Sequence, residues 1–276
     1  MLEMIGDMFS FAFMRRALIV GLLVSLCAAL LGVSLVLKRY SMIGDGLSHV
    51  GFGALAIATA LGWAPMAVAI PVVVVAAFLL LRLNENGKIK GDAAIAMIST
   101  VSLALGVIVL SFNKGMTSDV NNYLFGSILA MSEGDVWLSV GLAAMVLTLF
   151  VLFYRKIFTV TFDETFARAI GEKVNVYNML LAFLTAITIV LGMRMMGAML
   201  ISSLVIFPAL AAMRLCRSFR MVTVCTVVIS VICFLAGLIG SYLFATPTGA
   251  SIVMANSIAF FLCWMVDRLR GSRAAV

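Results

Sequence analysis

Charged residues are scarce in this chain, and long uncharged apolar runs take their place. Of the 276 residues, 64% are hydrophobic and only 11% are charged. Soluble globular domains do not have this composition. Low-complexity stretches and polar linkers are also lacking. The sequence therefore predicts an integral membrane protein, most of which lies within the lipid bilayer.

The motifs of several enzyme classes are missing as well. The sequence contains no G-x-x-x-x-G-K-[ST] phosphate loop, no H-E-x-x-H motif and no nucleophile elbow. None of the five cysteines is spaced as C-x-x-C, which favours small core residues over a zinc site or a disulfide framework. The chain is thus predicted to have neither an ATPase site of its own nor a catalytic set.

Nine apolar stretches are long enough, or nearly so, to cross a bilayer of about 30 Å at about 1.5 Å per residue. They are residues 17–37, 42–61, 64–82, 92–112, 135–154, 175–193, 196–214, 220–243 and 249–267. None shows the alternation typical of a membrane barrel. Residues 121–131 are too short to cross and predict a re-entrant or interfacial helix, and residues 1–16 predict an interfacial segment. The predicted fold class is an all-α polytopic bundle of about nine transmembrane helices, forming one domain over residues 1–276.

Basic residues are distributed unevenly between the two sides of this bundle. Fifteen of the 19 lysines and arginines fall in loops 38–40, 82–91, 155–174 and 214–220 and in the C-terminal tail. The positive-inside rule makes this side cytoplasmic. With nine crossings, the C-terminus then lies inside and the N-terminus outside. This bias accounts for the net charge of +7, so nucleic acid is not an expected partner.

The single histidine of the chain, His49, follows Asp45 by four residues in an apolar segment. Residues four apart share one face of a helix, so the pair offers a divalent cation an oxygen and a nitrogen donor. Ionisable side chains at membrane depth are costly and usually mark an ion path. Asp45 could instead cap its helix, and His49 could be a hydrogen-bonded structural residue. Two donors do not complete the shell of Zn²⁺ or Mn²⁺, so the other ligands must come from a second copy, another helix or water.

Several hydroxyl and amide side chains in the apolar segments are candidates for lining the same path. They are Ser48, Ser202, Ser203 and Asn256. Pro208 predicts a break or kink near the middle of its helix, because it leaves the carbonyl of Leu204 without a donor. A serine hydroxyl or a bound ion could satisfy that carbonyl. For Asn256, hydrogen bonding between helices is favoured over path lining.

A short amphipathic helix is predicted over residues 161–171, within the cytoplasmic loop 155–174. Thr161 or Asp163 can cap it, and Gly171 ends it. Three apolar residues share one of its faces: Phe162, Phe166 and Ile170. Such a helix on the cytoplasmic side often docks a partner protein. Alternatively, its apolar face rests on the lipid interface.

Residues 36–49, VLKRYSMIGDGLSH, resemble a signature of the zinc/manganese/iron permease family of ABC importers. Residues 162–167, 195–209 and 247–250 match further family motifs in the same order. The resemblance covers about residues 13–267. One departure is visible, because many members carry proline shortly after the histidine, where this chain has Phe52 and Gly53.

The resemblance implies a type II ABC importer-like permease in the plasma membrane of a prokaryote. Two copies would enclose the translocation path, two cytoplasmic ATPase subunits would dock on them, and an extracytoplasmic metal-binding protein would deliver the ion. Asp45 and His49 would bind the metal transiently. The family's ATPase-coupling helix corresponds here to Phe162, Asp163, Glu164, Phe166, Ala167 and Gly171. The metal is substrate rather than a permanently bound cofactor, with Zn²⁺ favoured over Mn²⁺ and then Fe²⁺ because imidazole prefers zinc.

Two rival functions follow from the same residues. Asp45 and His49 could relay protons in a secondary metal transporter that needs no ATPase. An intramembrane enzyme is disfavoured, because the sequence shows no nucleophile–base set and no three-ligand metal site.

Overall fold

The computed structural model describes residues 11–85, 91–112 and 133–273, and these residues form eleven helices. The helices are α1 (Ala12–Leu37), α2 (Ile43–Ala60), α3 (Pro65–Glu85), α4 (Gly91–Phe112), α5 (Glu133–Leu152), α6 (Tyr154–Phe162), α7 (Glu164–Ala169), α8 (Val174–Met196), α9 (Ala198–Leu215), α10 (Phe219–Phe244) and α11 (Thr248–Arg273). The predicted all-α class is confirmed for this part of the chain. The predicted short helix at 121–131 lies outside the described residues, as do residues 1–10 of the predicted interfacial segment. Residues 12–16 of that segment belong to α1 instead.

Within the described ranges, seven helices are long and apolar enough to cross a membrane, judged by length and composition. They are α1, α3, α4, α5, α8, α10 and α11. The other two predicted spans are α2 and α9, each with 18 residues. At about 1.5 Å per residue such helices reach about 27 Å, slightly less than the hydrocarbon core. The predicted count of nine transmembrane helices is therefore not confirmed.

Helices α1 and α8 lie at the centre of the bundle. Helix α1 packs against α5, α8, α9 and α10, and α8 also packs against α2 and α3. Helix α4 packs mainly on α2, and α11 packs on α9 and α10. Most of α1 and α8 is buried, whereas α4, α5 and α11 leave many apolar side chains exposed to the surroundings. An apolar outer surface of this extent suits a lipid environment.

Two glycines bring α2 unusually close to α4. A Cβ at Gly46 would come within 2.5 Å of the Ile95 side chain, and a Cβ at Gly53 within 2.6 Å of the Ser102 carbonyl oxygen. Helix α2 continues past His49 without interruption, and Phe52 is fully buried. Small residues thus allow the two backbones to approach, as the glycine-rich sequence predicts.

We expect Gly53→Ala to destabilise the folded protein by about 1–3 kcal/mol, because the added methyl group meets a carbonyl oxygen that cannot turn away. Gly141→Ala in α5 is the matched control, since nothing lies within 4 Å of a Cβ at that helical glycine. Thermal unfolding of the two variants in detergent measures the difference. Equal melting temperatures would contradict the close α2–α4 contact.

Two pairs of the segments that were predicted to share one side of the membrane are in contact. Lys38 after α1 contacts Glu164 of α7, and Arg214 at the end of α9 lies 3.7 Å from Asp267 of α11. At the other end of the bundle, Arg16, close to the N-terminus that was predicted to lie outside, forms an ion pair with Glu133. The grouping of these loops agrees with the structure. Which end faces the cytoplasm stays a prediction.

Of the predicted break or kink at Pro208, the break is wrong, and a kink stays a prediction. Helix α9 runs through Pro208, and the chain turns instead at Gly197, where a φ of 87° and a ψ of 159° separate α8 from α9. A backbone with that φ is readily adopted by glycine and strained for other residues. The ring of proline is accommodated inside α9, as is that of Pro71 inside α3. The prediction from local helix chemistry alone therefore overestimated how strongly Pro208 disrupts α9.

The segment predicted to lie in the cytoplasm also differs from the prediction of one helix over 161–171. Residues 154–162 continue as α6, and a second helix, α7, follows after Asp163. Asp163 has an extended backbone, and its carboxylate accepts a hydrogen bond from the backbone N–H of Phe166 at 2.9 Å. Of the two predicted caps, Asp163 is the one used. Gly171 follows α7 with a φ of 84°, so the predicted end of the helix is close to the observed one.

Candidate functional site

Asp45 and His49 lie on one face of α2, as their spacing predicts. The closest approach is 3.7 Å, between Asp45 Oδ2 and His49 Nε2. The Asp45 side chain is 44% exposed and that of His49 22% exposed. Asp45 stands in the first turn of α2, where the positive end of the helix dipole stabilises a carboxylate. The two donors are therefore adjacent and accessible from the same side.

Both side chains face a cavity of about 600 Å³ between α2 and α4. Its other lining residues are Met42, Ile95, Ala96, Ser99, Thr100 and Leu103. Ser99 and Thr100 place hydroxyl groups opposite the carboxylate–imidazole pair. The hydroxyl of Thr100 already donates to the carbonyl of Ala96 at 2.8 Å. The cavity is large enough for a hydrated divalent cation, with two charged or ionisable donors on one wall and hydroxyl groups on the other.

The sequence prediction had not assigned Ser99 and Thr100 to the site. Their pairing with Asp45 depends on α4 lying against α2, which no local pattern encodes. A signal was present, since Ser99, Thr100 and Ser102 form a polar cluster within an otherwise apolar span.

One ring nitrogen of His49 is not hydrogen-bonded within the described structure. This nitrogen, Nδ1, is buried. Among the residues that the structure describes, no group of three or more His, Cys, Asp or Glu side chains could hold a metal ion. One copy of the chain therefore contributes two strong metal donors at this cavity, and a complete coordination shell requires more.

The other predicted path residues lie elsewhere. Ser48 is fully buried, and its hydroxyl donates to the carbonyl of Asp45 at 2.7 Å. The Ser202 hydroxyl faces α2 at Gly44, and neither it nor the buried Ser203 hydroxyl has a hydrogen-bond partner in the described structure. Asn256 is buried in α11 and donates to the Ile252 carbonyl at 3.0 Å. None of these four residues lines the cavity at Asp45 and His49, and their role in a path stays a prediction.

Two of the candidate ATPase-coupling residues form an exposed apolar surface together with Ile170, and we call it the docking surface. It consists of Phe162, Phe166 and Ile170, which are 63%, 57% and 55% exposed. Ala167 is fully buried and anchors α7 beneath this surface. Phe162, the last residue of α6, also packs against Phe158 and Phe219. Three large apolar side chains exposed together in a polar loop region are typical of a protein–protein contact.

Glu164 does not belong to the docking surface, because its carboxylate accepts hydrogen bonds from side chains of the bundle. Its Oε1 accepts a hydrogen bond from Lys38 Nζ at 2.5 Å and from Asn178 Nδ2 at 3.1 Å. Burial opposes ionisation of Glu164. The hydrogen bonds from Lys38 and Asn178, with the charges of Lys38 and Arg168, outweigh burial and lower the pKa of Glu164 below its usual range. The carboxylate is therefore ionised throughout the neutral pH range.

Comparison with known proteins decides the family. The sequence matches the family model described as the ABC 3 transport family over residues 10–267. The chain belongs to this family. One relative of this ABC 3 family chain is the manganese import system permease protein ScaB of Streptococcus gordonii. The two sequences are 30% identical over 264 residues, which cover 96% of this chain and 95% of ScaB. The high-affinity zinc uptake system membrane protein ZnuB of Haemophilus influenzae is 29% identical over 253 residues, covering 91% of this chain and 97% of ZnuB.

The fold of the ABC 3 family chain is also found in a solved structure. A chain of PsaBC from Streptococcus pneumoniae, solved in complex with Fab, matches with a TM-score of 0.85 and 30% identity, covering 95% of both chains. The family predicted from the sequence signature is confirmed. The chain is a membrane protein of an ABC transport family.

Proposed function

We propose that this chain is the permease subunit of an ABC importer that carries Zn²⁺ or Mn²⁺ into the cytoplasm. The observation that supports this most directly is the pairing of Asp45 and His49 at the α2–α4 cavity of an ABC 3 family member. Relatives named for manganese import and for zinc uptake are similar to this chain to nearly the same degree. Similarity alone therefore selects neither metal. Zinc is favoured over manganese because imidazole ligands favour it.

Two copies of the chain would together complete the metal site. Each contributes one carboxylate and one imidazole, so a homodimer that joins the two cavities would offer four protein ligands. Four ligands suffice for tetrahedral zinc and leave room for water on manganese. A site shared between copies also assembles and separates as the copies move, which suits a substrate that must be released.

The energy for transport would come from separate cytoplasmic ATPase subunits bound at the docking surface. An extracytoplasmic metal-binding protein would deliver the ion at the opposite end of the bundle, near Arg16 and Glu133. The assembly would reside in the plasma membrane of a prokaryote, with the C-terminus cytoplasmic and the N-terminus outside.

Reconstitution tests this function. The permease is placed in liposomes with its ATPase and metal-binding protein, and uptake of radioactive Mn²⁺ or Zn²⁺ is measured. We expect uptake to require ATP, and we expect Zn²⁺ to inhibit Mn²⁺ uptake at a lower concentration than Mn²⁺ inhibits Zn²⁺ uptake. Uptake by the permease alone under a proton gradient would support the proton-coupled alternative instead.

A further inference from the structure

A partly buried hydrogen-bond triangle joins three helices behind the docking surface. Lys38 Nζ donates to Glu164 Oε1 at 2.5 Å and to Asn178 Oδ1 at 2.8 Å, and Asn178 Nδ2 donates to Glu164 Oε1. The Lys38 side chain is only 7% exposed, and Asn178 is 3% exposed. The triangle links the end of α1, the helix α7 and the first turns of α8.

The Lys38 contact differs from an ordinary surface ion pair, because the Lys38 side chain is only 7% exposed while that of Glu164 is 40% exposed. A buried ammonium group needs its partners, because an unpaired charge in the interior is strongly destabilising. The pKa of Glu164 is lowered, so its carboxylate stays ionised at neutral pH and keeps its attraction for the Lys38 ammonium group. When α7 moves, Lys38 is therefore expected to move with it.

The connection from Lys38 to the metal donors is short and held by backbone hydrogen bonds. The backbone of Tyr40 donates to the Leu35 carbonyl at 2.8 Å, and that of Ile43 donates to the Tyr40 carbonyl at 3.0 Å. Arg39 adopts a left-handed conformation with a φ of 61°, which closes the turn. Helix α2 starts at Ile43, and Asp45 is its third residue. A displacement of Lys38 therefore reaches Asp45 through a tight turn rather than through a flexible loop.

We propose that Lys38 is a positioning residue that couples the docking surface to the metal donors: it transmits the movement of α7 to the start of α2. This inference rests on the proposed function. ATPase subunits that pull or push α7 would shift Asp45 and His49 through Lys38, and so would change the affinity for the metal during each ATP cycle. Lys38 touches neither nucleotide nor metal in this mechanism.

The same region offers a matched control. Lys156 of α6 pairs with Glu172, which follows α7. The Lys156 side chain is 47% exposed, and the pair does not involve α1 or the turn before α2. An exposed pair of this kind contributes little to stability. Lys38→Met and Lys156→Met therefore remove the same type of charge from the same region, but only the first breaks the link to α2.

The test measures metal ions transported per ATP hydrolysed, in liposomes that contain the permease, its ATPase and its metal-binding protein. We expect Lys38→Met to bind the ATPase and hydrolyse ATP, but to transport about tenfold fewer ions per ATP, a size that fits coupling energies of single residues. Lys156→Met should match the wild type within about twofold. The charge swap Lys38→Glu with Glu164→Lys should restore part of the lost coupling, which loss of fold would not allow.

Glu164→Gln keeps the test decisive if Lys38→Met fails to assemble. It leaves Lys38 hydrogen-bonded to Asn178, and we expect an intermediate loss of ions per ATP. The coupling role alone would be overturned if Lys38→Met transported as many ions per ATP as the wild type. If Lys38→Met does not assemble, the same result in Glu164→Gln would overturn it. A wild-type complex that takes up neither Zn²⁺ nor Mn²⁺ would overturn the proposed function and the coupling role with it.

Discussion

Metal uptake should fall by more than about 100-fold in Asp45→Ala and in His49→Ala, because each removes half of the strong donors in its cavity wall. Loss of groups that merely orient a metal ligand already costs about 10–100-fold, so loss of a ligand should exceed that. Both side chains are partly exposed at the cavity, and their removal leaves the packing of α2 largely unchanged. Uptake of radioactive Zn²⁺ and Mn²⁺ by the reconstituted complex measures the effect.

Thr100→Val is the control for this prediction. Thr100 lines the same cavity, but its hydroxyl is bonded to its own helix, and valine has nearly the same shape. We expect uptake within about threefold of the wild type, the scale of one neutral hydrogen bond. Copurification of the ATPase with each variant confirms assembly. Normal uptake in both Asp45→Ala and His49→Ala would remove the site assignment.

Binding of the ATPase should weaken by at least about 30-fold in Phe166→Asp, which places a charge at the centre of the docking surface. Loss of a central aromatic contact commonly costs about 2 kcal/mol or more. Phe166 is 57% exposed. Its backbone N–H, rather than its ring, makes the capping hydrogen bond by donating to the Asp163 carboxylate. Helix α7 should therefore stay folded. Copurification and the affinity between the solubilised permease and its ATPase measure the loss.

Phe244→Asp controls for a charge introduced at an exposed phenylalanine. Phe244 is 78% exposed and ends α10, whose first residue, Phe219, packs against Phe162 of the docking surface. It lies at the opposite end of the bundle, so ATPase binding should be unchanged. Equal ATPase affinity for the wild type and Phe166→Asp would show that the ATPase binds elsewhere.

Features set by residues close in sequence were predictable. The four-residue spacing of Asp45 and His49 placed them on one helix face, and the capping chemistry of Asp163 and Gly171 located α7 to within a few residues. Length and hydropathy likewise identified the helices. In each case the determining interaction lies within one or two turns of helix, where periodicity and caps decide the structure.

Features that depend on helices meeting across the bundle were not predictable in this way. Ser99 faces the carboxylate–imidazole pair because α4 crosses α2 at Gly46 and Gly53, and Lys38 reaches Glu164 across 126 residues of sequence. The break at Pro208 was wrong because the bundle accommodates a proline inside α9 and turns at Gly197 instead. Tertiary packing overrides the local tendency at that position.

The second ring nitrogen of His49 bears on how strongly the imidazole would bind an ion. In proteins that keep a metal permanently, that nitrogen of each ligating imidazole usually donates a hydrogen bond to a carboxylate or carbonyl, which fixes the ring and raises its basicity. Among the described residues, His49 Nδ1 has no such partner. Support of this kind contributes about 10–100-fold to metal affinity. Its absence among these residues suits the transient binding that the proposed function requires.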